Sequence, residues 1–347
     1  MSELRILLVG LGNRGRMWVS IAERTAGALL SGVVDVNPDA LAAFAVDQPD
    51  VPCFTDLSEA LATTASDAVL LVTPPGGHLA QARQIFAAGL PLLAEKPLTL
   101  DLAEAVEIVA LADAARLPLM VGLNFRYLPV SQKIRELIAA HAFGALGFGQ
   151  FTYQRNRDGR QPRLNKYPLT MHHPMMLEQS IHHLDLIRFC YGRRVESVTC
   201  HTWNPSWSMY AHDSNVNCLL QLQEGVEVNY LGTWTGGWNE LCFEWRTDCT
   251  DGVIVQRELF SNLAVARTAD RSLTPVELAS CEPFFDDSAA LLHDFVAHVR
   301  DGAPLACSGA DHLITLALCF AAIESSQSGR TVPMADFCAR YGIHGAP

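Results

Sequence analysis

Three glycines near the amino terminus have the spacing of a phosphate-binding turn. Gly10, Gly12 and Gly15 form the pattern G-x-G-x-x-G, which follows an apolar run and precedes a helical pattern. Gly10 permits the tight turn, Gly12 lets the backbone approach a pyrophosphate, and Gly15 lets helix and strand pack closely. The N–H groups and the dipole at such a helix start favour a bound phosphate. The pattern predicts a dinucleotide site that also includes Asn13 and Arg14, the latter through a charge-assisted contact.

An acid at the end of the second apolar run indicates which dinucleotide binds. Asp35 lies 20 residues after Gly15, which matches the expected spacing of about 20. Its carboxylate is suited to accept hydrogen bonds from the adenosine ribose and to repel a 2′-phosphate, and residues 36–38 contain no Arg that would neutralise one. The sequence therefore predicts NAD rather than NADP. The alternative is a structural turn that binds no ligand.

A lysine follows the fifth predicted strand, at the sheet edge where ligands bind. Glu95, Lys96 and Pro97 come directly after an apolar run. Ligands of doubly wound sheets lie at the carboxyl ends of the strands, so we expect Lys96 near the nicotinamide; the alternative is a surface cation. The Lys96–Pro97 bond is a candidate for the cis form. The further cofactor contacts predicted at the strand ends are Thr73, Pro74, His78 and Glu95.

A carboxylate and an imidazole in the second half of the chain are four residues apart. Glu178 and His182 would share one helical face, and Asp185 follows His182 by three positions. A carboxylate beside an imidazole holds its tautomer and raises its basicity, as a general base requires. The alternatives are an ordinary surface pair and a metal site. We predict no metal, because recognised ligand spacing is absent among the nearby histidines, which are His172, His173, His182 and His183.

The elements that must position these residues change in character along the chain. Apolar runs alternating with helical patterns predict six strands of a parallel sheet with helices on both faces, a Rossmann-type, doubly wound α/β domain over residues 1–122. Longer strands in sequence predict a second α/β domain over residues 123–347, with an open, largely antiparallel sheet. Aromatic residues assigned to its second face predict a homo-oligomer, a dimer or tetramer; they are Tyr230, Trp234, Phe243 and Trp245.

Composition narrows the class of protein. The chain has 347 residues, of which 49% are hydrophobic and 18% are charged, a composition typical of globular proteins. This length exceeds what a single hydrophobic core usually accommodates, so we expect two domains. The net charge of −12 without a Lys/Arg run argues against a nucleic-acid or anionic-membrane partner. No apolar stretch approaches the ~20 residues of a membrane span, and the first residues lack the features of a signal peptide. We expect a cytoplasmic protein whose 10 cysteines are reduced.

The ordered set of motifs resembles the glucose–fructose oxidoreductase, inositol dehydrogenase and rhizopine-catabolism (Gfo/Idh/MocA) family. The matching segments include GLGNRG at Gly10, VVDVNP through Asp35, EKP at Glu95, GLNFRY from Gly122, and EQSIHHLD from Glu178. The resemblance implies a Rossmann domain, a second α/β domain, a nicotinamide nucleotide, and hydride transfer at a sugar or cyclitol carbon. It places the family's lysine at Lys96, its histidine at His182, and its carboxylate, usually Asp, at Glu178. The family's usual Gly and Asn are replaced by Ser180 and Pro75.

Substrate contacts are predicted near these residues. Asn124 and Phe125 follow the sixth strand, and Trp234 offers an apolar platform for a sugar face or else packs in a core. A basic stretch would clamp a carboxylate or phosphate, or form a solvated loop or an oligomer contact. Its members are Arg155, Asn156, Arg157, Arg160 and Arg163.

These assignments predict an NAD-dependent dehydrogenase that oxidises a secondary alcohol of a sugar, cyclitol or sugar derivative. His182 would take the hydroxyl proton, Lys96 would hydrogen-bond the developing alkoxide, and Glu178 would orient the pair. The alternatives are a redox-neutral NAD-dependent sugar hydrolase or lyase, a C=N or C=C reductase, and a non-catalytic NAD-sensing regulator. The sequence does not specify the sugar, the oxidised carbon, the direction or the oligomer size.

Overall fold

The computed structural model describes residues 3–162 and 164–343, so the predicted basic residue Arg163 lies outside the described residues. Cα packing divides the chain into two compact units. The first comprises residues up to Asn124 together with Phe284–Leu313, and the second comprises Phe125–Pro283 together with residues from Ile314 onward. The predicted division, 1–122 and 123–347, differs from this one. A helix late in the chain joins the first unit because its apolar face is buried there, including Leu291 and Phe295.

The first unit alternates strands and helices, as the apolar runs predict. Buried aliphatic residues fill its strands on both faces, which suits a sheet covered by helices. Its elements are β1 (Leu4–Val9), α1 (Asn13–Arg24), β2 (Ala28–Val34), α2 (Pro38–Asp47), β3 (Cys53–Phe54), α3 (Leu57–Thr63), β4 (Ala68–Leu71), α4 (His78–Ala87), β5 (Leu92–Ala94), α5 (Leu102–Ala115) and β6 (Leu119–Val121), with a helix at Asp286–Asp301 from the later part of the chain.

Within the described residues the first sheet has six strands in the order β3-β2-β1-β4-β5-β6, all paired in parallel. The predicted doubly wound domain is thus confirmed. The order reverses at β1, so the carboxyl ends of β1 and β4 flank the switch point where such sheets bind ligands. Helix α5 begins after the capping pattern Asp101-x-x-Glu104, and the Asp101 carboxylate accepts hydrogen bonds from the backbone N–H groups of Ala103 and Glu104.

The second unit is built on a larger sheet with helices packed on one face. Its strands carry alternating buried and exposed residues, the pattern of a sheet with one covered face. Its elements are α6 (Pro129–Ala139), β7 (Leu146–Gln154), α7 (Ile181–Tyr191), β8 (Val195–Trp203), β9 (Asn215–Leu222), β10 (Glu227–Thr233), β11 (Cys242–Cys249), β12 (Gly252–Glu258), β13 (Ser261–Arg267) and β14 (Thr274–Pro275), then, after α8 (Asp286–Asp301) of the first unit, α9 (Gly309–Ser328), β15 (Val332–Pro333) and α10 (Met334–Arg340). Of α9, the residues up to Leu313 are assigned to the first unit and those from Ile314 onward to the second.

The strand order of this sheet, over the part of the chain that is described, is β14-β13-β12-β11-β7-β10-β9-β8-β15. The β7–β10 pair is parallel, and the other pairs are antiparallel, which confirms the open, largely antiparallel sheet. The four aromatic residues assigned to an oligomer contact are instead buried inside this unit: three lie at buried positions of strands β10 and β11, and Trp234, directly after β10, packs against Tyr210 and Arg157. These are Tyr230, Trp234, Phe243 and Trp245.

Across residues 3–162 and 164–343, no helix combines the length and the apolar composition that crossing a lipid bilayer requires.

Candidate active site

The glycine turn of the first unit has the shape that its sequence predicts. Gly10 has φ +105°, and a Cβ there would lie 2.9 Å from the Val72 carbonyl group. A Cβ on Gly15 would lie 1.9 Å from the Gly10 carbonyl oxygen, so helix and strand can approach only without it. A Cβ on Gly12 would meet no atom within 4 Å. The turn is therefore closed by protein around Gly10 and Gly15 and is open beside Gly12.

The start of α1 fits a pyrophosphate. Gly12 is its N-cap residue, no side chain caps the helix, and its first turn contains no acid. The N–H groups and the dipole of this end are thus available to an anion. The Asn13 side chain instead accepts a hydrogen bond from Arg16 at 2.8 Å, within the first turn.

Asp35 lies at the end of β2 and is hydrogen-bonded to the glycine turn. Its Oδ2 accepts a hydrogen bond from the Leu11 backbone N–H at 2.6 Å, and its Oδ1 accepts one from the Asn37 N–H at 2.8 Å. A carboxylate offers about four acceptor positions, so two remain for ribose hydroxyls. The residues present in this half of the site fit the adenosine end of NAD.

Arg14 is bound by two side chains of the first unit. Its Nε donates to Glu95 at 2.6 Å and its second guanidinium nitrogen donates to Ser288 at 2.9 Å. Trp18 donates to the same Glu95 oxygen at 2.7 Å. Burial of Glu95 opposes ionisation, but Arg14 and Trp18 outweigh it, so the pKa of this carboxyl is lowered. The buried carboxylate thus binds the guanidinium and ties α1 to the end of β5, and the phosphate contact of Arg14 stays a prediction.

Lys96 is held at its backbone by the same carboxylate. Its N–H donates to Glu95 Oε2 at 3.2 Å, and the Lys96–Pro97 peptide is cis, as the sequence suggests. The side chain is half-buried directly after β5. The backbone of Lys96 is thus fixed from a residue that also anchors the glycine turn.

The loop after β4 is built from three predicted cofactor residues that contact protein groups. The Thr73 hydroxyl donates to Gln81 at 2.6 Å, and Pro74 leads into a short 3₁₀ turn. His78 is buried, with its ring nitrogens 2.9 Å from the Leu98 carbonyl oxygen and 2.8 Å from that of Thr73. Burial lowers the pKa of His78. His78 therefore joins two loops of the first unit, and its contact with the cofactor stays a prediction.

Asn124, a predicted substrate contact, has a partner far away in the sequence. Its amide donates to Asp287 at 2.5 Å in the first turn of α8. Both residues are buried, and burial raises the pKa of Asp287 in spite of this hydrogen bond and the nearby Arg14. The amide nitrogen of Asn124 is thus directed into the first unit.

In the second unit, Glu178 and His182 do not belong to one continuous α-helix. Met175–Ser180 is a π-helix, and α7 begins at Ile181. The predicted common face assumes an α-helical turn, whereas a π-helix is wider and frequently marks a functional site. Glu178 is half-buried within the π-helix, and His182 lies in the first turn of α7. The ring of His182 stacks on Phe125, with centroids 4.2 Å apart and planes 21° apart.

Asp185 has a different role from the one that the sequence suggests. Its two oxygens accept hydrogen bonds from Arg126 at 2.7 and 2.6 Å, and Thr315 donates to one of them at 2.8 Å. Asp185 and Arg126 are both buried. The carboxylate three positions after His182 therefore pairs with Arg126.

The neighbouring histidines face separate partners. The Nδ1 of His183 lies 2.9 Å from the Tyr230 hydroxyl and its Nε2 lies 3.0 Å from the Gln179 amide. Full burial lowers the pKa of His183 to about 3, so this imidazole is neutral. His172 stacks on His212 at 3.8 Å, and among the described residues no three His, Cys, Asp or Glu side chains converge as metal ligands.

One residue of the basic stretch, Arg157, contacts Trp234. The Arg157 guanidinium lies 4.3 Å from the centre of the Trp234 ring and donates to the Tyr210 hydroxyl at 3.2 Å. Trp234 is buried, so the open platform expected of it is corrected to a covered one. Arg155 binds the Thr233 carbonyl through its N–H at 3.1 Å, and Asn156 is exposed in a single bridge to Thr235.

Sequence reasoning missed the partners that hold these residues. Three of these partners lie far away in the sequence. Arg126 binds Asp185 over a separation of 59 residues, Ser288 binds Arg14 over 274, and Asp287 binds Asn124 over 163. Arg126 stands in the motif GLNFRY and carries a charge in a largely apolar segment, which was the available signal. No comparable sequence signal marked Ser288 or Asp287.

Both halves of the chain match models of known protein families. Residues 4–123 match the model of an oxidoreductase family with an NAD-binding Rossmann fold, and residues 131–255 match the GFO/IDH/MocA C-terminal domain. An inositol 2-dehydrogenase of Corynebacterium glutamicum is 30% identical over 65% of this chain and 66% of its own. A D-apiose dehydrogenase of Rhizobium rhizogenes is 26% identical over 96% of this chain and 98% of its own.

A solved structure shares the complete fold. An oxidoreductase from Agrobacterium radiobacter, crystallised with NAD+, L-tartaric acid and magnesium, superposes with a TM-score of 0.86 at 24% identity, covering 96% of this chain and 99% of that one. With both family models matched in order along the chain, this protein belongs to the Gfo/Idh/MocA family of NAD-binding oxidoreductases.

Proposed function

We propose that the chain is an NAD-dependent dehydrogenase that oxidises a secondary alcohol of a sugar, cyclitol or sugar derivative. Relatives named for inositol and D-apiose support this substrate class, since the first is a cyclitol and the second a sugar. Bound NAD supplies the hydride acceptor. In this proposal His182 takes the proton of the substrate hydroxyl, Lys96 donates a hydrogen bond to the resulting alkoxide oxygen, and Glu178 orients the substrate and the imidazole.

The π-helix at Met175–Ser180 is the observation that carries this proposal. A π-helix gives up regular i→i+4 hydrogen bonding, and it is found mostly where a helix serves a site. Here it carries Glu178 and is followed directly by the turn with His182, whose ring is buried against Phe125. An imidazole with a fixed plane, preceded by a half-buried carboxylate, suits proton abstraction from a substrate.

We propose NAD over NADP because of the surroundings of Asp35. Its carboxylate is half-buried and fixed by the N–H groups of Leu11 and Asn37, so it cannot easily turn away from a 2′-phosphate. Residues 36–38 supply no cation to offset that repulsion. A carboxylate in this place favours free ribose hydroxyls.

The direct test follows reduced-nicotinamide fluorescence with purified protein, NAD, and a panel of inositol, D-apiose, other cyclitols, aldoses and sugar acids. We expect NADH to accumulate with at least one polyol, and Lys96→Ala to abolish it. Substrate loss without NADH would show a hydrolase or lyase instead. In a parallel assay started with NADH and C=N or C=C compounds, NADH consumption without any polyol oxidation would show a reductase. NAD binding without turnover in either assay would show a sensor.

We further propose a cytoplasmic homo-oligomer, a dimer or tetramer, that uses the outer face of the second sheet. The large apolar side chains of Phe148 and Leu219 lie on this face and are 57% and 44% exposed. Apolar side chains in such a position favour a partner surface. Light scattering after gel filtration tests this, and a monomeric mass for the wild type would contradict it; Leu219→Lys should lower the mass.

A further inference from the structure

Phe125 and His182 form a stacked pair inside the second unit. Their ring centroids are 4.2 Å apart and their planes 21° apart, and both residues are buried. Phe260 packs edge-on against Phe125, with ring centroids 5.4 Å apart and planes 79° apart. Rotation of the imidazole out of this plane would therefore break the stack. Offset stacking of this kind has a preferred geometry, unlike plain apolar burial.

A bidentate ion pair fixes the segment that carries Phe125. Arg126, the next residue, donates two hydrogen bonds to Asp185, at 2.7 and 2.6 Å, and the side chains are only 5% and 2% exposed. Asp185 lies one turn after His182 on α7. The planar guanidinium–carboxylate fork sets an angle as well as a distance. The stack and the fork therefore join the same two segments at adjacent positions.

Further hydrogen bonds hold the fork from both sides. Thr315 donates to Asp185 at 2.8 Å, and Gln132 donates to the Arg126 carbonyl oxygen at 2.6 Å. A buried ion pair gives little net stability, because desolvation offsets the attraction, but it specifies one geometry when every member is satisfied. This arrangement thus fits a positioning role better than a stabilising one.

We propose that Phe125, clamped by the Arg126–Asp185 pair, sets the plane of the His182 imidazole and thereby acts as a positioning residue for proton transfer. This differs from a direct substrate contact, and it rests on the proposed function of His182 as the base. Asp185 then acts on His182 through Arg126 and Phe125 rather than by touching the imidazole.

The test compares Phe125→Leu with Phe125→Tyr and Phe243→Leu in the full NAD-loaded protein, with the polyol that gives turnover. Phe125→Leu should lower kcat about 10- to 100-fold with KM within about twofold, because a misplaced base loses reactivity while substrate still binds. Phe125→Tyr keeps the aromatic face and should restore most of kcat. Phe243→Leu makes the same change at another buried position of this unit and should leave kcat unchanged.

A double-variant cycle separates positioning from general damage. In a His182→Gln background, Phe125→Leu should cost no further activity, since the two residues act as one unit. Additive losses, or a rise in KM with unchanged kcat, would overturn the proposal in favour of a direct substrate contact.

A spectroscopic readout keeps the inference testable without turnover. The Phe125 ring current should displace the His182 ring-proton resonances in protein with isotope-labelled histidine, and Phe125→Leu should return them toward ordinary positions. Asp185→Asn should move the same resonances, since it loosens the fork. If the polyol panel gives no turnover but these resonances move as expected, the proposed function fails and the positioning geometry stands. Unmoved resonances would overturn the positioning claim itself.

Discussion

The glycine turn of the first unit and the π-helix region of the second depend on different kinds of atoms. In the turn, the decisive atoms are backbone atoms, and what matters at Gly12 and Gly15 is the space that a missing Cβ leaves. In the π-helix region, the decisive atoms belong to side chains such as His182, whose orientation depends on Phe125. The first region is specified by a few consecutive residues, whereas the second requires partners from several segments.

This difference predicts how each region fails. A backbone site tolerates no added atom where two segments touch, so substitution there damages the fold itself. A side-chain site keeps its backbone when one group is removed, so substitution there damages the chemistry. Variants of the turn should therefore separate folding from cofactor binding, and variants of the π-helix region should separate binding from turnover.

The largest effect is expected at Gly15. A Cβ there would lie 1.9 Å from the Gly10 carbonyl oxygen, so Gly15→Ala should lower the free energy of unfolding by on the order of 5 kcal/mol. Gly12→Ala is the matched control, since its Cβ would meet no protein atom within 4 Å. Its free energy of unfolding should stay within ~1 kcal/mol of the wild-type value. Its affinity for NAD should fall at least about tenfold, because the methyl group occupies the approach of the pyrophosphate.

Urea denaturation of the apo-protein and fluorescence titration with NAD measure both effects. If Gly12→Ala and Gly15→Ala lose stability equally, the turn is not open beside Gly12. If Gly12→Ala binds NAD as tightly as the wild type, the pyrophosphate does not lie there.

The next largest effect is expected in turnover. Lys96→Ala and His182→Gln should each lower kcat by about 10²–10⁴-fold, or ~3–5 kcal/mol in the activation barrier, and should leave the Kd for NAD within about threefold. The kcat of the double variant should be only slightly lower than that of the less active single variant, because both residues are proposed to act on one hydroxyl.

Stopped-flow NADH fluorescence and NAD titration check the chemistry and the binding separately. Arg24→Ala, at the end of α1, is a control for loss of a cation without loss of a proposed role. Full activity in either single variant, or strictly multiplicative losses in the double variant, would contradict the joint assignment.

The sequence predicted the first sheet well because its information is local. Buried strands read as continuous apolar runs, the glycine spacing requires a particular turn, and Asp101 with Glu104 marks a helix start, confirmed by the bonds that the Asp101 carboxylate accepts. Asp35 lies at the strand end that its spacing from Gly15 predicts. Each of these features depends on residues within about one βα unit.

The site around α7 could not be predicted to the same depth, because its interactions join distant segments. The spacing of Glu178 and His182 indicated one α-helical face. No local sequence pattern predicts that the segment Met175–Ser180 is π-helical. The choice of Asp185 between His182 and Arg126 depends on which group burial places beside it. Aromatic residues in the strands carry no sign of which sheet face is covered, so the predicted oligomer contact at Trp245 was wrong.

A smaller effect is expected on cofactor choice. Asp35→Asn keeps the size of the side chain and an oxygen for the Leu11 N–H but removes the charge that faces a 2′-phosphate. The ratio of the Kd values for NADP and NAD should fall by ~10- to 100-fold, equivalent to ~1.4–2.8 kcal/mol. Asp39→Asn, an exposed acid in the first turn of α2, should leave the ratio unchanged. An unaltered ratio in Asp35→Asn would remove the basis for NAD preference.

The smallest effect concerns stability in acid and separates His183 from its neighbour His182. Burial lowers the pKa of His183 to about 3, whereas an unfolded histidine has a pKa near ~6.5. Between these values the unfolded chain binds a proton that the native protein does not, so the contribution of His183 is complete above pH ~6.5 and is lost as the pH falls. Its share of the slope is at most about 1.4 kcal/mol per pH unit.

His183→Gln keeps hydrogen-bonding groups opposite Tyr230 and Gln179 but cannot titrate. The unfolding free energy of this variant, measured by urea denaturation from pH 7 to pH 4, should therefore fall less steeply than that of the wild type, since the carboxylates titrate alike in both. His293→Gln makes the same change at an exposed position and should follow the wild-type curve. Parallel curves for His183→Gln and the wild type would mean that His183 is already charged in the native protein. In that case the neutral imidazole of His183 would have to be abandoned, and with it the purely structural role assigned to this residue.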